Sequence, residues 1–112
     1  MALSLHAGAT DELIDLARRG EHEVRGKALF WLSQEAGEKA AAALRGAVDD
    51  PDDSIRAKAV FGISQLPNDE SIPLLIELTK HHSPTVRKKA LFWLGQKNDP
   101  RALDAIAEIL QR

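Results

Sequence analysis

One eleven-residue pattern occurs three times in this chain at a constant spacing. Residues 24–34, 55–65 and 86–96 read VRGKALFWLSQ, IRAKAVFGISQ and VRKKALFWLGQ, so the repeat period is 31 residues. The first and third segments agree at nine of eleven positions. Two further series of mostly apolar residues have the same period: Leu13, Leu44, Leu75 and Ile106, and Leu16, Ala47, Leu78 and Ile109. A constant period of roughly 20 to 50 residues indicates a stack of identical supersecondary units.

Each repeat contains two amphipathic segments, which we call the A and B segments. A segments are predicted around residues 10–19, 39–48, 70–80 and 100–111, and B segments around residues 22–35, 52–65 and 83–96. In each B segment the apolar residues lie 0, 4, 5 and 8 positions after the opening Val or Ile, the spacing of one helical stripe. Ser83 and Asp99 each precede a proline, a combination typical of a helix N-cap, and Asp52 and Asn68 are predicted to open helices as well.

Short links between the A and B segments predict that the two helices of a pair lie antiparallel. A single helical pair cannot bury its apolar face, whereas stacked pairs can. The predicted fold is therefore an all-α, right-handed solenoid of antiparallel helix pairs, with about three and a half repeats and seven helices. We expect residues 10–112 to form this repeat domain and residues 1–9 to be a linker or a disordered N-terminus.

The composition excludes several classes of function. The chain has no cysteine, so disulfides, zinc–thiolate sites and cysteine nucleophiles are excluded. It carries 15 Lys and Arg against 17 Asp and Glu, without the basic excess of a dedicated nucleic-acid binder. No signal peptide and no apolar run of about 18 residues is recognisable. These features predict a cytoplasmic location by default.

The pattern [VI]-R-x-K-A-[LV]-x-x-[LI]-[GS] resembles the short HEAT-like repeats of the phycobilin-lyase type, over residues 10–112. The resemblance implies a scaffold that binds other proteins, with the B helices lining its concave face. It also implies that the arginine of the pattern meets an acidic residue near the turn between A and B. A ladder of Arg25, Arg56 and Arg87 between repeats is therefore expected. The third turn has no acid, so Arg87 is expected to reach back to the second turn or to stay solvated.

A helical projection places one lysine, one phenylalanine and one glutamine of each B segment away from the buried stripe. An apolar strip rimmed by polar groups is typical of an interaction surface. The alternative is that the phenylalanines pack against their neighbours along the column. The candidate partner-binding residues are Lys27, Phe30, Gln34, Lys58, Phe61, Gln65, Lys89, Phe92 and Gln96.

The position after each phenylalanine holds Trp31, Gly62 and Trp93 in turn. This large–small–large order predicts one of two arrangements. Either a notch over Gly62 has tryptophan walls and seats a partner side chain, or the tryptophans fill the gap that Gly62 leaves.

Other polar clusters do not match known catalytic or metal sites. The acidic run at residues 49–53 lacks the spacing of an EF-hand and is explained by helix capping. His22-Glu23 is similar to the His-Glu pairs of HEAT-type di-iron hydroxylases but occurs once, and His81-His82 is expected to be solvated in a turn. No nucleophile motif or phosphate loop is present. The sequence predicts no metal, no cofactor and no catalysis.

The predicted function is a non-catalytic protein–protein interaction scaffold or adaptor. Three alternatives stay open: an accessory or subunit of a lyase-type enzyme, a nucleic-acid-binding HEAT module, and an idealised scaffold with no natural ligand. The partner is expected to be another protein or a peptide. Both ends of the column are also predicted to allow self-association.

Overall fold

The computed structural model describes residues 7–34 and 38–111, and within these ranges it contains seven helices and no strand. The A helices are α1 (Ala7–Arg19), α3 (Glu38–Ala47), α5 (Asn68–Leu78) and α7 (Pro100–Leu110), and the B helices are α2 (His22–Ser33), α4 (Asp53–Ser64) and α6 (Pro84–Gly95). The predicted helical solenoid is confirmed. Helix α1 begins three residues before the predicted domain boundary, and residues 1–6 of the predicted linker lie outside the described residues.

Most of the predicted helix starts have the expected caps. The side chains of Asp52, Ser83 and Asp99 each accept a hydrogen bond from a backbone N–H in the first turn of the helix that follows. Asn68 is the exception, and the prediction that it opens its helix as a cap was wrong. Pro67 occupies the cap position in an extended conformation, and its carbonyl accepts the first helical hydrogen bonds. The Asn68 side chain instead accepts from Lys97 Nζ of the next repeat at 3.1 Å.

The core is a continuous line of apolar side chains between the A and B layers. The positions that share the 31-residue period are buried together, such as Leu44 with Leu75 and Ile55 with Val86. Helix α2 packs against α4, and α4 packs against α6, so the B helices form a continuous layer. The A helices approach one another less closely, and the column measures 45 × 26 × 17 Å. None of the helices within the described ranges is long and apolar enough to cross a bilayer.

Polar contacts on the surface join residues about one period apart. Each links an element to its equivalent in the next repeat, at a sequence separation of 28 to 33 residues. Exposed pairs of this kind contribute little individually. The buried line therefore stabilises the stack, and the polar contacts fix the register of neighbouring repeats. The pairs include Lys39–Asp11, His22–Ser54, Arg45–Glu77, Thr85–Asp53 and Arg101–Asp69.

Gly62 marks a close approach between the A and B layers. A Cβ atom at this position would lie 2.7 Å from Leu44 Cδ2 and 3.4 Å from Ser33 Cβ. Since Leu44 is fully buried, its side chain cannot move out into solvent to relieve this contact. The absence of a side chain at Gly62 thus lets α3 and α2 both pack closely on α4.

We expect Gly62→Ala to lower the free energy of unfolding by about 1 kcal/mol, because overpacking the core outweighs the gain in helix propensity. Gly46→Ala is the matched control, since a Cβ at Gly46 meets no atom within 4 Å. It should stabilise the protein by about 0.5 to 1 kcal/mol. Urea unfolding followed by circular dichroism measures both, and equal effects of the two substitutions would contradict the close packing at Gly62.

Acid is expected to destabilise the stack through Asp53. The hydrogen bond from Thr85 and the guanidinium of Arg56 hold the pKa of this carboxyl below its usual 3.8. The folded state therefore takes up the proton at lower pH than the unfolded state. The stabilisation is complete above the unfolded pKa and is lost as pH falls through the folded pKa.

Asp53→Asn removes this titration, and Thr85→Val removes the largest cause of the pKa shift. Urea unfolding of both variants between about pH 5 and pH 2.5 should show a smaller loss of stability than the wild type shows. A loss as large as that of the wild type in both variants would rule out the Thr85–Asp53 contact as its source.

Candidate interaction surface

All nine residues of the predicted partner-binding set are exposed on one side of the B layer. We call this surface the B face: Lys27, Phe30, Gln34, Lys58, Phe61, Gln65, Lys89, Phe92 and Gln96. The exposed fractions are 50% for Phe30, 36% for Phe61 and 55% for Phe92. The helical projection thus predicted the direction of these side chains correctly. The projection does not identify what these side chains bind.

Each of the three phenylalanines on the B layer contacts a tryptophan ring. Phe61 makes an edge-to-face contact with Trp93 of the next repeat, with ring centroids 5.2 Å apart. Phe30 and Phe92 make similar contacts with Trp31 and Trp93 in their own helices, at 5.5 and 5.0 Å. Each phenylalanine therefore contacts a tryptophan ring and stays partly exposed.

A groove of about 270 Å³ lies between α2 and α4, with phenylalanine walls and lysines at its rim. Because Gly26 has no side chain, the Lys58 side chain lies across α2 here, with Nζ 2.8 Å from the position of a Cβ. A second groove of about 380 Å³ lies beside Phe92. The first groove is lined by Gly26, Lys27, Phe30, Lys58, Phe61 and Gly62, and the second by Thr85, Lys88, Lys89 and Phe92.

Gly26, Thr85 and Lys88 line these grooves but were not predicted as site residues. The available signal was the second position after the opening Val or Ile, where the repeats hold Gly26, Ala57 and Lys88. This position varies within an otherwise constant pattern. The two grooves differ there in shape and charge, because Gly26 lines the first and Lys88 lines the second.

The structure differs from the predicted notch of Trp31, Gly62 and Trp93, because neither tryptophan lines the groove beside Gly62. The groove beside Gly62 has phenylalanine walls, and the gap that the glycine leaves is filled by Leu44 and Ser33. Trp31 is half-exposed at the N-terminal end of the B layer, and Trp93 is half-buried against Phe61.

The lysines of the B layer differ from most other cations of the described chain. Lys27, Lys58, Lys88 and Lys89 are exposed, and none of them pairs with a carboxylate among the described residues. Most arginines and Lys39 have such partners elsewhere on the column. The B face is therefore a positive strip on a chain whose formal net charge is −2.

The three arginines of the repeat pattern share a role that differs from the predicted ladder. Each donates to a backbone carbonyl in the turn before its own helix, and Arg87 donates to the carbonyls of His81 and His82 at 2.9 Å. The end of an A helix leaves carbonyls without helical partners, which explains why Arg87 needs no acid. Only Arg25 pairs with the next repeat, through Asp50 at 3.1 Å.

Asp49, His81 and His82 are the only group of three potential metal ligands within the described ranges. His81 is not solvated as predicted, since its side chain is only 10% exposed and Nε2 lies 2.7 Å from Asp49 Oδ1. Its Nδ1 accepts a hydrogen bond from the Ser83 backbone N–H at 2.9 Å, so the ring proton is on Nε2 and is donated to Asp49. If a metal bound Nε2, the ring proton would have to move to Nδ1. It would then face the Ser83 backbone N–H, and that hydrogen bond would be lost. The geometry fits a brace of the turn better than a metal site.

Comparison with known proteins identifies the repeat. No curated protein sequence matches the chain. A family model described as HEAT repeats matches residues 46–112, more than half of the chain, and covers α4 to α7. HEAT repeats are generally protein-interaction scaffolds. The periodic helix pairs and this match together show that the chain belongs to the HEAT repeat family.

Proposed function

We propose that this chain is a non-catalytic scaffold or adaptor that binds a segment of another protein along the B face. The phenylalanines would be its apolar anchors, and the lysines would contact acidic groups of the bound segment. The observation that carries the proposal is the coincidence of three exposed phenylalanines with a strip of lysines that have no acidic partner in the described chain.

The apolar part of the surface supports a contact of useful strength. Complete burial of an exposed phenylalanine contributes about 1.5 to 3 kcal/mol, so burying the exposed parts of three rings contributes a few kcal/mol. Positive groups around such anchors act mainly on partner choice and on the association rate. The B face thus has the apolar centre and polar rim of a transient protein interface.

The spacing of the anchors limits what the segment can be. Neighbouring helices lie about 8 to 10 Å apart, so successive phenylalanines have about the same separation. An α-helix presents equivalent positions every seven residues, over about 10.5 Å, and an extended chain covers the distance in about three residues. We therefore expect a partner segment interspersed with Asp and Glu, with apolar residues seven apart in a helix or three apart in a polyproline II segment, whose side chains repeat every three residues over about 9.3 Å.

The anchors can be tested with Phe30→Ser combined with Phe92→Ser, which leaves the more enclosed Phe61 to hold Trp93. The matched control is Leu16→Ser with Val24→Ser, two exposed apolar residues at the N-terminal end of the column. In a pull-down from the source lysate, the phenylalanine variant should lose a protein that wild type and control both retain. Circular dichroism must show all three folded. Equal recovery by the three proteins would refute the B face as the binding surface.

The lysines can be tested with Lys27→Glu combined with Lys89→Glu, against Arg18→Glu combined with Lys80→Glu, which change two exposed cations outside the B face. The first pair should weaken recovery of the same protein, with a larger deficit at low salt because screening is weaker there. The second pair should leave the recovery of that protein unchanged. If recovery depends on nucleic acid and is abolished by nuclease, the surface is a nucleic-acid interface and the proposal fails.

A further inference from the structure

The groove between α2 and α4 is lined by two glycines that the next pair of B helices lacks. Gly26 belongs to α2 and Gly62 to α4. One period later the same positions hold Ala57 of α4 and Trp93 of α6, so both carry side chains. The two interfaces between B helices therefore differ at these positions, although the lysine and the phenylalanine of the pattern are the same in each.

The tryptophan of α6 shows what lies at this place in the later interface. The Trp93 ring contacts Phe61 of the preceding B helix edge to face, with centroids 5.2 Å apart. One period earlier Gly62 stands in place of Trp93, and within the described residues no ring of α4 pairs with Phe30. In agreement, Phe30 is 50% exposed and Phe61 is 36% exposed. The ring that covers Phe61 has no counterpart at Phe30, and the groove lies there instead.

The groove has the size, lining and charge to take one large aromatic side chain. Its volume of about 270 Å³ is below the roughly 300 to 1,000 Å³ of sites that enclose a small molecule. Its phenylalanine walls favour an aromatic occupant, because aromatic rings pair edge to face. Lys27 and Lys58 at its rim have no carboxylate partner among the described residues. Acidic residues beside the inserted ring would supply those partners.

We propose that this groove binds one tryptophan side chain of the partner segment, flanked by acidic residues. The inference rests on the proposed function and names the side chain that the B face selects. The partner's indole ring would take, against Phe30, the place that Trp93 takes against Phe61. The flanking carboxylates would pair with Lys27 and Lys58.

Gly26 is the position at which the groove can be narrowed without disturbing the core. A Cβ there would lie 2.8 Å from Lys58 Nζ and 3.1 Å from its Cδ, and the three nearest atoms all belong to Lys58. Because this is the end of a flexible side chain, it can move to accommodate a larger residue. Gly62 offers no such test, since a Cβ there meets the buried Leu44 side chain.

The probe is the peptide Asp-Glu-Trp-Glu-Asp, acetylated and amidated, titrated into the isotope-labelled protein and followed by amide chemical shifts. The shifts should saturate, with the largest changes at Gly26, Lys58 and Gly62. A peptide with leucine in place of tryptophan should bind about fivefold more weakly or worse, because it loses the ring contacts. A peptide with Asn and Gln in place of the acids should also bind more weakly, and its affinity should depend less on salt.

Gly26→Leu should weaken binding of the tryptophan peptide by about fivefold or more, since the new side chain takes up part of the groove. The matched control is Ala57→Leu, at the equivalent position of α4, which does not line the groove. It should change the affinity by less than about twofold. Circular dichroism must show both variants folded. The series of peptides tests the proposal on the wild-type protein, independently of either variant.

Three outcomes would overturn the proposal. The first is no saturable shift up to about 1 mM peptide. The second is equal affinity for the tryptophan and leucine peptides, and the third is equal affinity of Gly26→Leu and wild type.

The pull-down distinguishes this proposal from the proposed function. A protein that the phenylalanine variant loses and Gly26→Leu retains would overturn the tryptophan groove but leave the B face as the binding surface. A protein that both variants lose would support the two together. Recovery unchanged in both variants would refute both.

Discussion

No helix pair in this chain can bury its apolar stripe alone, and every other property of the structure depends on that constraint. The side chains with no exposed surface, such as Ile63, Leu75 and Leu94, lie where A and B helices of neighbouring repeats meet. Stability in such a column is a sum of contributions from each repeat and from each interface between repeats. The interior repeats are enclosed by a neighbouring repeat on both sides.

The same constraint separates the residues that hold the fold from those that are available for binding. Stacking buries the stripe of each B helix but leaves its opposite side exposed, so a residue placed there once per repeat becomes a row. Lys58 and Phe61 belong to that row, whereas Ile55 and Val60 in the same helix are in the core. A repeated exposed aromatic residue is not needed for stacking, which is why the row is the best candidate for an interaction surface.

The helices and the exposed row could be predicted because both follow from the period within a single helix. Features that depend on contacts with the neighbouring repeat could not be predicted in this way. Asn68 has the composition of a cap, but Pro67 fixes the extended conformation and frees the Asn68 side chain for Lys97. His81 was expected in solvent, yet the previous turn places Asp49 beside it. A helical projection shows on which side of its helix Gly62 lies. It does not show that the Leu44 side chain occupies the space beside this glycine.

The polar contacts that join residues 28 to 33 apart have a consequence for how such a chain can change its length. Insertion or deletion of one whole 31-residue unit returns each apolar stripe to an equivalent position and preserves the register of the column, although the polar pairs differ from one interface to the next. A change of any other length inside a helix rotates the stripe by about 100° per residue and moves the core side chains outward. The molecule can therefore lengthen by duplication in discrete steps, while smaller insertions are tolerated only in the turns.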